Sequence, residues 1–293
     1  MADPEIAAVR ALLAALPRPA GLAERRQRLD ALCARYTLPA DVRVEAILAN
    51  GVAAEWTATP GADPAWVILY LHGGGYVSGS LASHRHVVAQ AGRESRARTL
   101  ALGYRLAPEH PFPAALDDAL AGYRYLLAQG IEPRHVAIAG DSAGGGLAIA
   151  TLVSLRDRGE TLPACAWCIS PWVDLEMLGS SMAAKAEADP LIQKAYLSEL
   201  AASYLAGADP RSPLAAPIHA DLRGLPPLSI QVGSAETLLD DAVRLAGRAG
   251  AAGVMARLEI WPDMIHAWHL FYQELAAGRR ALAQAGEFIR AYL

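Results

Sequence analysis

Six largely apolar runs, separated by stretches with helical spacing, limit the fold of this chain more than any other feature. The runs are Trp66 to Leu71, Leu100 to Tyr104, His135 to Ala139, Ala164 to Ile169, Leu228 to Val232 and Arg257 to Trp261. Helical spacing lies near 82–95, 113–129, 143–157, 238–252 and 271–292. Strands that are apolar throughout are buried on both faces, so the pattern predicts a mostly parallel α/β sheet with helices on either side. Val42 to Leu48 alternates instead, and Val52 to Thr57 follows closely enough to pair with it, which predicts an antiparallel edge. Residues 1–37 read as two short helices broken at Pro17-Arg18-Pro19.

The 293 residues suit one α/β domain, 1–293, as well as two smaller ones. At 53% hydrophobic and 19% charged the chain has the material for a large core, which excludes a disordered protein. A net charge of −4 without a basic block argues against a nucleic-acid partner. No segment approaches the roughly 18 uninterrupted apolar residues of a membrane span. The acidic start Met1-Ala2-Asp3-Pro4-Glu5 and the odd count of 3 cysteines predict a cytoplasmic protein without a disulfide framework. Residues 176–208 interrupt the strand–helix rhythm, with Asp189-Pro190 expected to open a helix to about Leu205. Insertions of this length over such a sheet commonly cover a pocket.

Gly140-Asp141-Ser142-Ala143-Gly144 spells G-x-S-x-G between a predicted strand and a predicted helix. That context suits a serine nucleophile, because a sharp strand-to-helix turn needs small neighbours and places backbone N–H groups beneath the serine. His72-Gly73-Gly74-Gly75-Tyr76 follows another core strand, and three glycines let the backbone turn its N–H groups toward a ligand.

With Tyr104-Arg105-Leu106-Ala107-Pro108-Glu109, these two motifs resemble the bacterial hormone-sensitive-lipase-like (family IV) esterases of the α/β-hydrolase fold. The resemblance covers about residues 66–290. It implies an oxyanion hole on Gly74, Gly75 and Ala143, and a structural part for His72. It further implies small to medium acyl chains, a helical cap built from 1–37 and 176–208, and no metal or organic cofactor. A homodimer is open on the resemblance alone.

A serine needs a base and the base an orienting carboxylate, in the chain order Ser, Asp or Glu, His. His266, in the loop after the last strand, fits; Ala267-Trp268 stand where the family usually has Gly and an aromatic. His269 reads as packed or exposed, as do His84, His86, His110, His135 and His219, none with metal-ligand spacing. For the acid, register on Leu238 and Asp240 favours Glu236 over the alternative, Asp240. Cys165 and Cys168 should point to opposite faces of a strand as core residues. Asp117-Asp118 reads as a solvated helix face, and Trp268 as near enough to the site to shape a pocket.

The expectation is a serine carboxylesterase acting on a small-molecule ester. The same residues could cut an amide, lactone or carbamate. A ligand-binding module of the same fold, as in plant hormone receptors that have lost the histidine, is the rival from outside the enzymes.

Overall fold

A computed structural model describes residues 4–16, 19 and 21–293. Of the expected break at Pro17-Arg18-Pro19, Pro17 and Arg18 lie outside the described residues, as do Met1, Ala2 and Asp3. The strands are β1 Arg43–Ala49, β2 Val52–Ala58, β3 Asp63–Leu71, β4 Ala97–Leu102, β5 Val136–Asp141, β6 Cys165–Ile169, β7 Leu228–Gly233 and β8 Ala256–Trp261. They form a sheet in the order β1-β2-β4-β3-β5-β6-β7-β8. The β1–β2 and β2–β4 pairs are antiparallel and every other pair is parallel. The α/β sheet with its antiparallel edge is thus the one the apolar pattern predicts.

The helices are α1 Pro4–Ala15, α2 Leu22–Cys33, α3 Leu81–Ser95, α4 Ala114–Ala128, α5 Ala143–Asp157, α6 Ser181–Ala184, α7 Lys194–Leu205, α8 Leu239–Ala251 and α9 Ala276–Arg290. They cover both faces, because alternate strand residues point to opposite sides. Leu69, Leu71, Ile138 and Cys168 belong to the core beneath α4, α5 and α8, whereas Ile68, Tyr70, Ala139 and Cys165 belong to that beneath α1, α3 and α9. The two thiols therefore lie on opposite faces, and burial pushes both up to about 12. Such thiols stay protonated and inert.

Four expectations are corrected. The strand expected at 100–104 ends at Leu102, and Tyr104 leaves the ladder so that its hydroxyl donates to the His72 carbonyl at 2.6 Å. Asp189 does not open a helix. Its Oδ1 accepts the Leu191 and Ile192 N–H groups and its Oδ2 that of Thr237, each at 2.9 Å, so it closes a turn and α7 starts at Lys194. Asp118 is buried, not solvated, because Arg105 folds over it with contacts of 2.7 to 3.0 Å; Asp117 alone faces water. Finally, the last helix begins at Ala276, after a 3-10 turn over Trp268–Phe271 that follows the left-handed Ala267 (φ 50°).

Candidate active site

The carboxyl ends of β3, β5 and β8 open into a cavity of about 380 Å³. Such ends are where open α/β sheets bind ligands. Ser142 sits at the turn between β5 and α5 with φ 54° and ψ −121°. A side chain at positive φ is strained, and here the surroundings hold it. Ser142 N–H donates to the Ile169 carbonyl at 2.8 Å, and its own carbonyl accepts from Gly146 and Trp172 at 3.1 and 2.9 Å. The turn is tight enough that a Cβ at Gly144 would overlap the Leu71 carbonyl oxygen, so glycine is required there for close approach.

The glycine loop leaves β3 beside this turn. Gly74 and Gly75 have φ of 116° and 65°, a region L side chains rarely adopt, and both line the cavity with Ser142. Gly73 N–H is used internally, donating to Asp141 Oδ1 at 3.0 Å. Ala143, first residue of α5, follows Ser142 and is buried. His72 is buried, stacked on Tyr104 at 4.2 Å, and pushed down to about 4 by burial and by the neighbouring His84. It stays neutral near pH 7 and does not line the cavity.

His266 also lines the cavity, and its Nδ1 lies 2.9 Å from Oε2 of Glu236. Glu236 follows β7 and is fully buried. Its Oε1 accepts the Gly233 N–H and, at 2.8 Å, the Ser170 hydroxyl. Ser170 in turn accepts the Ala267 N–H at 3.1 Å. One hydroxyl thus ties the loop bearing the histidine to the loop bearing the acid. Asp240 is elsewhere: it accepts from Ser180 Oγ at 2.7 Å and Ser181 N–H at 2.9 Å.

The cavity's outer wall comes from α2, with Leu29 and Leu32, and from Leu191, Ile192, Leu197 and Leu200 of the 176–208 segment. Arg25 of α2 meets Glu199 of α7 at 3.3 Å across the rim.

A family model described as the alpha/beta hydrolase fold matches residues 68–270. The acetyl-hydrolase of Streptomyces hygroscopicus is 52% identical over 237 residues, 81% of this chain and 79% of its own. An esterase of Acinetobacter venetianus is 33% identical over 264 residues, covering 90% and 87%. The crystal structure of an esterase from the bacterial hormone-sensitive lipase family is similar with a TM-score of 0.97 at 47% identity, over 100% of this chain and 99% of that one. The chain belongs to the bacterial hormone-sensitive lipase family.

Within this hormone-sensitive-lipase-family chain, the departure at Ala267 falls where φ is positive. An alanine there carries roughly 1–2 kcal/mol of strain that glycine would not. Trp268 is not a pocket residue: it is wholly buried in the core beneath α9, and Ala267 and Leu270 face the cavity in its place. His269 is packed, with Nε2 2.9 Å from Gln231, and burial pushes it down to about 3.

Four residues of this neighbourhood have parts the sequence does not assign: Ser170, Asp189, His84 and Asp141, the last reading only as an acid that could touch substrate or the loop and needs no role beyond its helix N-terminus. All four are buried, and His84 and Asp141 line the cavity. Burial alone would raise Asp141, but His84 and the Tyr70 hydroxyl outweigh it and hold the carboxyl at about 2.

Away from the cavity, Asp174, Glu176 and His219 converge closely enough for a metal, though their chain spacing gives no sign of it. Arg244 Nη1 lies 2.5 Å from Asp174 and Arg211 Nε 3.7 Å from Glu176, so the cluster is an ion-pair network.

Proposed function

We propose that this chain is a carboxylesterase working through Ser142, His266 and Glu236. Ser142 Oγ attacks the acyl carbon while His266 Nε2 takes its proton, and the tetrahedral oxyanion forms against the N–H groups of Gly74, Gly75 and Ala143. Collapse expels the alcohol, which receives that proton. Water then attacks the acyl-enzyme with His266 again as base, releasing the acid and restoring the serine. Each oxyanion donor contributes on the order of 10²–10³ in rate. These steps call on no metal or organic cofactor. What supports the triad is the 2.9 Å contact between His266 and a fully buried glutamate, in a cavity that also holds a serine at positive φ.

The cavity of about 380 Å³ is near the small end of ligand pockets, which run roughly 300–1,000 Å³. Turnover of p-nitrophenyl acetate, butyrate and hexanoate should therefore exceed that of laurate in steady-state assays. Equal rates along the whole series would contradict an acyl pocket of this size. We place the cap on α2 and 176–208, with α1 as its anchor on the domain, since α1 packs into the core beneath α9 and does not line the cavity.

Burial works to lower His266, but the hydrogen bond and charge of Glu236 outweigh it, so the net shift is upward. A raised base is protonated at higher pH. The acid limb of kcat/KM should therefore have its midpoint above the ordinary value near 6.5, with activity rising as pH increases through it. A flat profile between pH 5 and 8 would remove His266 from this role.

Among the described residues no helix is long and apolar enough to cross a membrane. Three buried free thiols suit a reducing compartment, and we propose the cytoplasm as the site of action, checked by cell fractionation. We also propose a homodimer through β8. Among the described residues that strand pairs only with β7, and it and its surroundings expose Ile260 and Met255. Sedimentation equilibrium should read twice the 30.9 kDa chain mass; a single chain mass at micromolar concentration would contradict it.

A further inference from the structure

A loop of three glycines has no side chains with which to hold itself, yet oxyanion donors act only when aimed. One side of this loop is closed by Gly74, whose carbonyl accepts the Ser78 N–H and hydroxyl, both at 2.9 Å. The other side is held by Asp141, the residue before Ser142. Its Oδ1 accepts from Gly73 N–H and from Tyr70 hydroxyl, both at 3.0 Å. A Cβ at Gly73 would overlap Asp141 Oδ2, so the carboxylate lies directly on the loop backbone. One side chain thereby joins the nucleophile turn to the glycine loop.

The setting of that carboxylate depends on what meets its second oxygen, and this is His84. Its Nε2 lies 3.3 Å from Asp141 Oδ2. A carboxylate only accepts, so Nε2 carries the hydrogen. The ring is itself fixed, because Nδ1 lies 2.8 Å from Ser83 Oγ. Ser83 and Ser80 form the reciprocal cap that starts α3, with bonds of 3.0 and 2.9 Å. Orientation runs from a helix cap, through an imidazole and a carboxylate, to the loop.

We propose that His84 is a positioning residue that, through Asp141, fixes the oxyanion loop for the ester chemistry proposed above, on which this inference rests. Held down at about 2, Asp141 is charged across the working pH range, and hydrogen bonds to a charged acceptor are about twice as strong as neutral ones. A carboxylate freed on one side can turn, releasing Gly73 and with it the adjoining donors of Gly74 and Gly75. A displacement of about 1 Å at such donors costs on the order of 10²-fold.

The test compares His84→Gln, which keeps an N–H donor, with His84→Leu, which keeps bulk without one. Each is assayed on p-nitrophenyl butyrate and titrated with a trifluoromethyl ketone, whose hemiketal oxygen occupies the oxyanion hole. His84→Leu should lower kcat by about 10- to 100-fold with KM within about twofold. The ketone should weaken by the same factor as kcat/KM, and His84→Gln should recover most of both. Equal losses in the two variants would mean the ring matters only as packing. An unchanged kcat in a folded His84→Leu, or a change confined to KM, would also overturn the proposal. Should His84→Leu fail to fold, Asp141→Asn carries the same test, since it keeps the shape and removes the charge. Wild-type turnover with indifferent His84 variants sinks only this inference, whereas a wild type inert on every ester sinks the carboxylesterase itself.

Discussion

Ser142→Ala lowers kcat on p-nitrophenyl butyrate by on the order of 10⁴- to 10⁶-fold, because the oxyanion donors and substrate binding alone retain only about 10³–10⁴ over water. Alanine is the smaller residue and adopts the same turn, so the melting temperature should stay close to that of the wild type. Mass spectrometry after mixing with a slow ester should show an acyl adduct on the wild type and none on the variant. Activity within tenfold of wild type would mean that another group is the nucleophile.

Glu236→Gln comes second, with an expected loss of about 10⁴ in kcat. The size follows from which oxygen is already committed. Oε1 accepts both the Gly233 N–H and the Ser170 hydroxyl, so the glutamine must keep its carbonyl oxygen there. Its NH₂ group then faces His266 Nδ1. A donor in that position requires Nδ1 to be bare, which moves the ring hydrogen to Nε2, the atom that must accept from Ser142. Loss of the glutamate charge also lowers the histidine, so the residual activity should keep rising at a lower pH than in the wild type. Asp240→Asn, whose partners are Ser180 and Ser181, should leave kcat within a few-fold. A large loss there with little at Glu236 would reverse the two acids.

The strands were legible to within a few residues because burial on both faces leaves continuous apolar runs. The glycine loop and serine turn were legible because each is local and its backbone geometry demands small residues. Glu236 could be approached by register alone. What escaped the sequence depends on contacts distant in the chain. Asp141 meets a histidine 57 positions away, and Ser170 meets Ala267 across 97. Neither has any periodic signature. Asp189-Pro190 spells a helix start, and Oδ1 does accept the Leu191 and Ile192 N–H groups, but Oδ2 is tied to Thr237, 48 positions on, and the helix begins only at Lys194. Asp118 looked solvated because its neighbour Asp117 is, and two adjacent helix positions point about 100° apart.

The cavity's two walls have unequal freedom to change. On the sheet side, one added methyl at Gly73 or Gly144 runs into a carboxylate or a backbone oxygen, so a lineage can scarcely vary there and still fold. On the outer side, Leu29 and Leu32 belong to α2 and Leu197 to α7, two helices joined across the rim through Arg25, which meets Glu199 at 3.3 Å and lies over the Tyr196 ring at 4.6 Å. Surface contacts of this kind are worth little, and Leu29 and Leu32 are only half-buried, so they can change at small cost, whereas Leu197 is buried in the core. Leu200 is buried too, and its side chain packs directly against the Gly75 backbone. A randomised library spread over α2 and α7 but sparing Leu197 and Leu200 would therefore search new substrates while leaving the serine turn and the glycine loop unaltered.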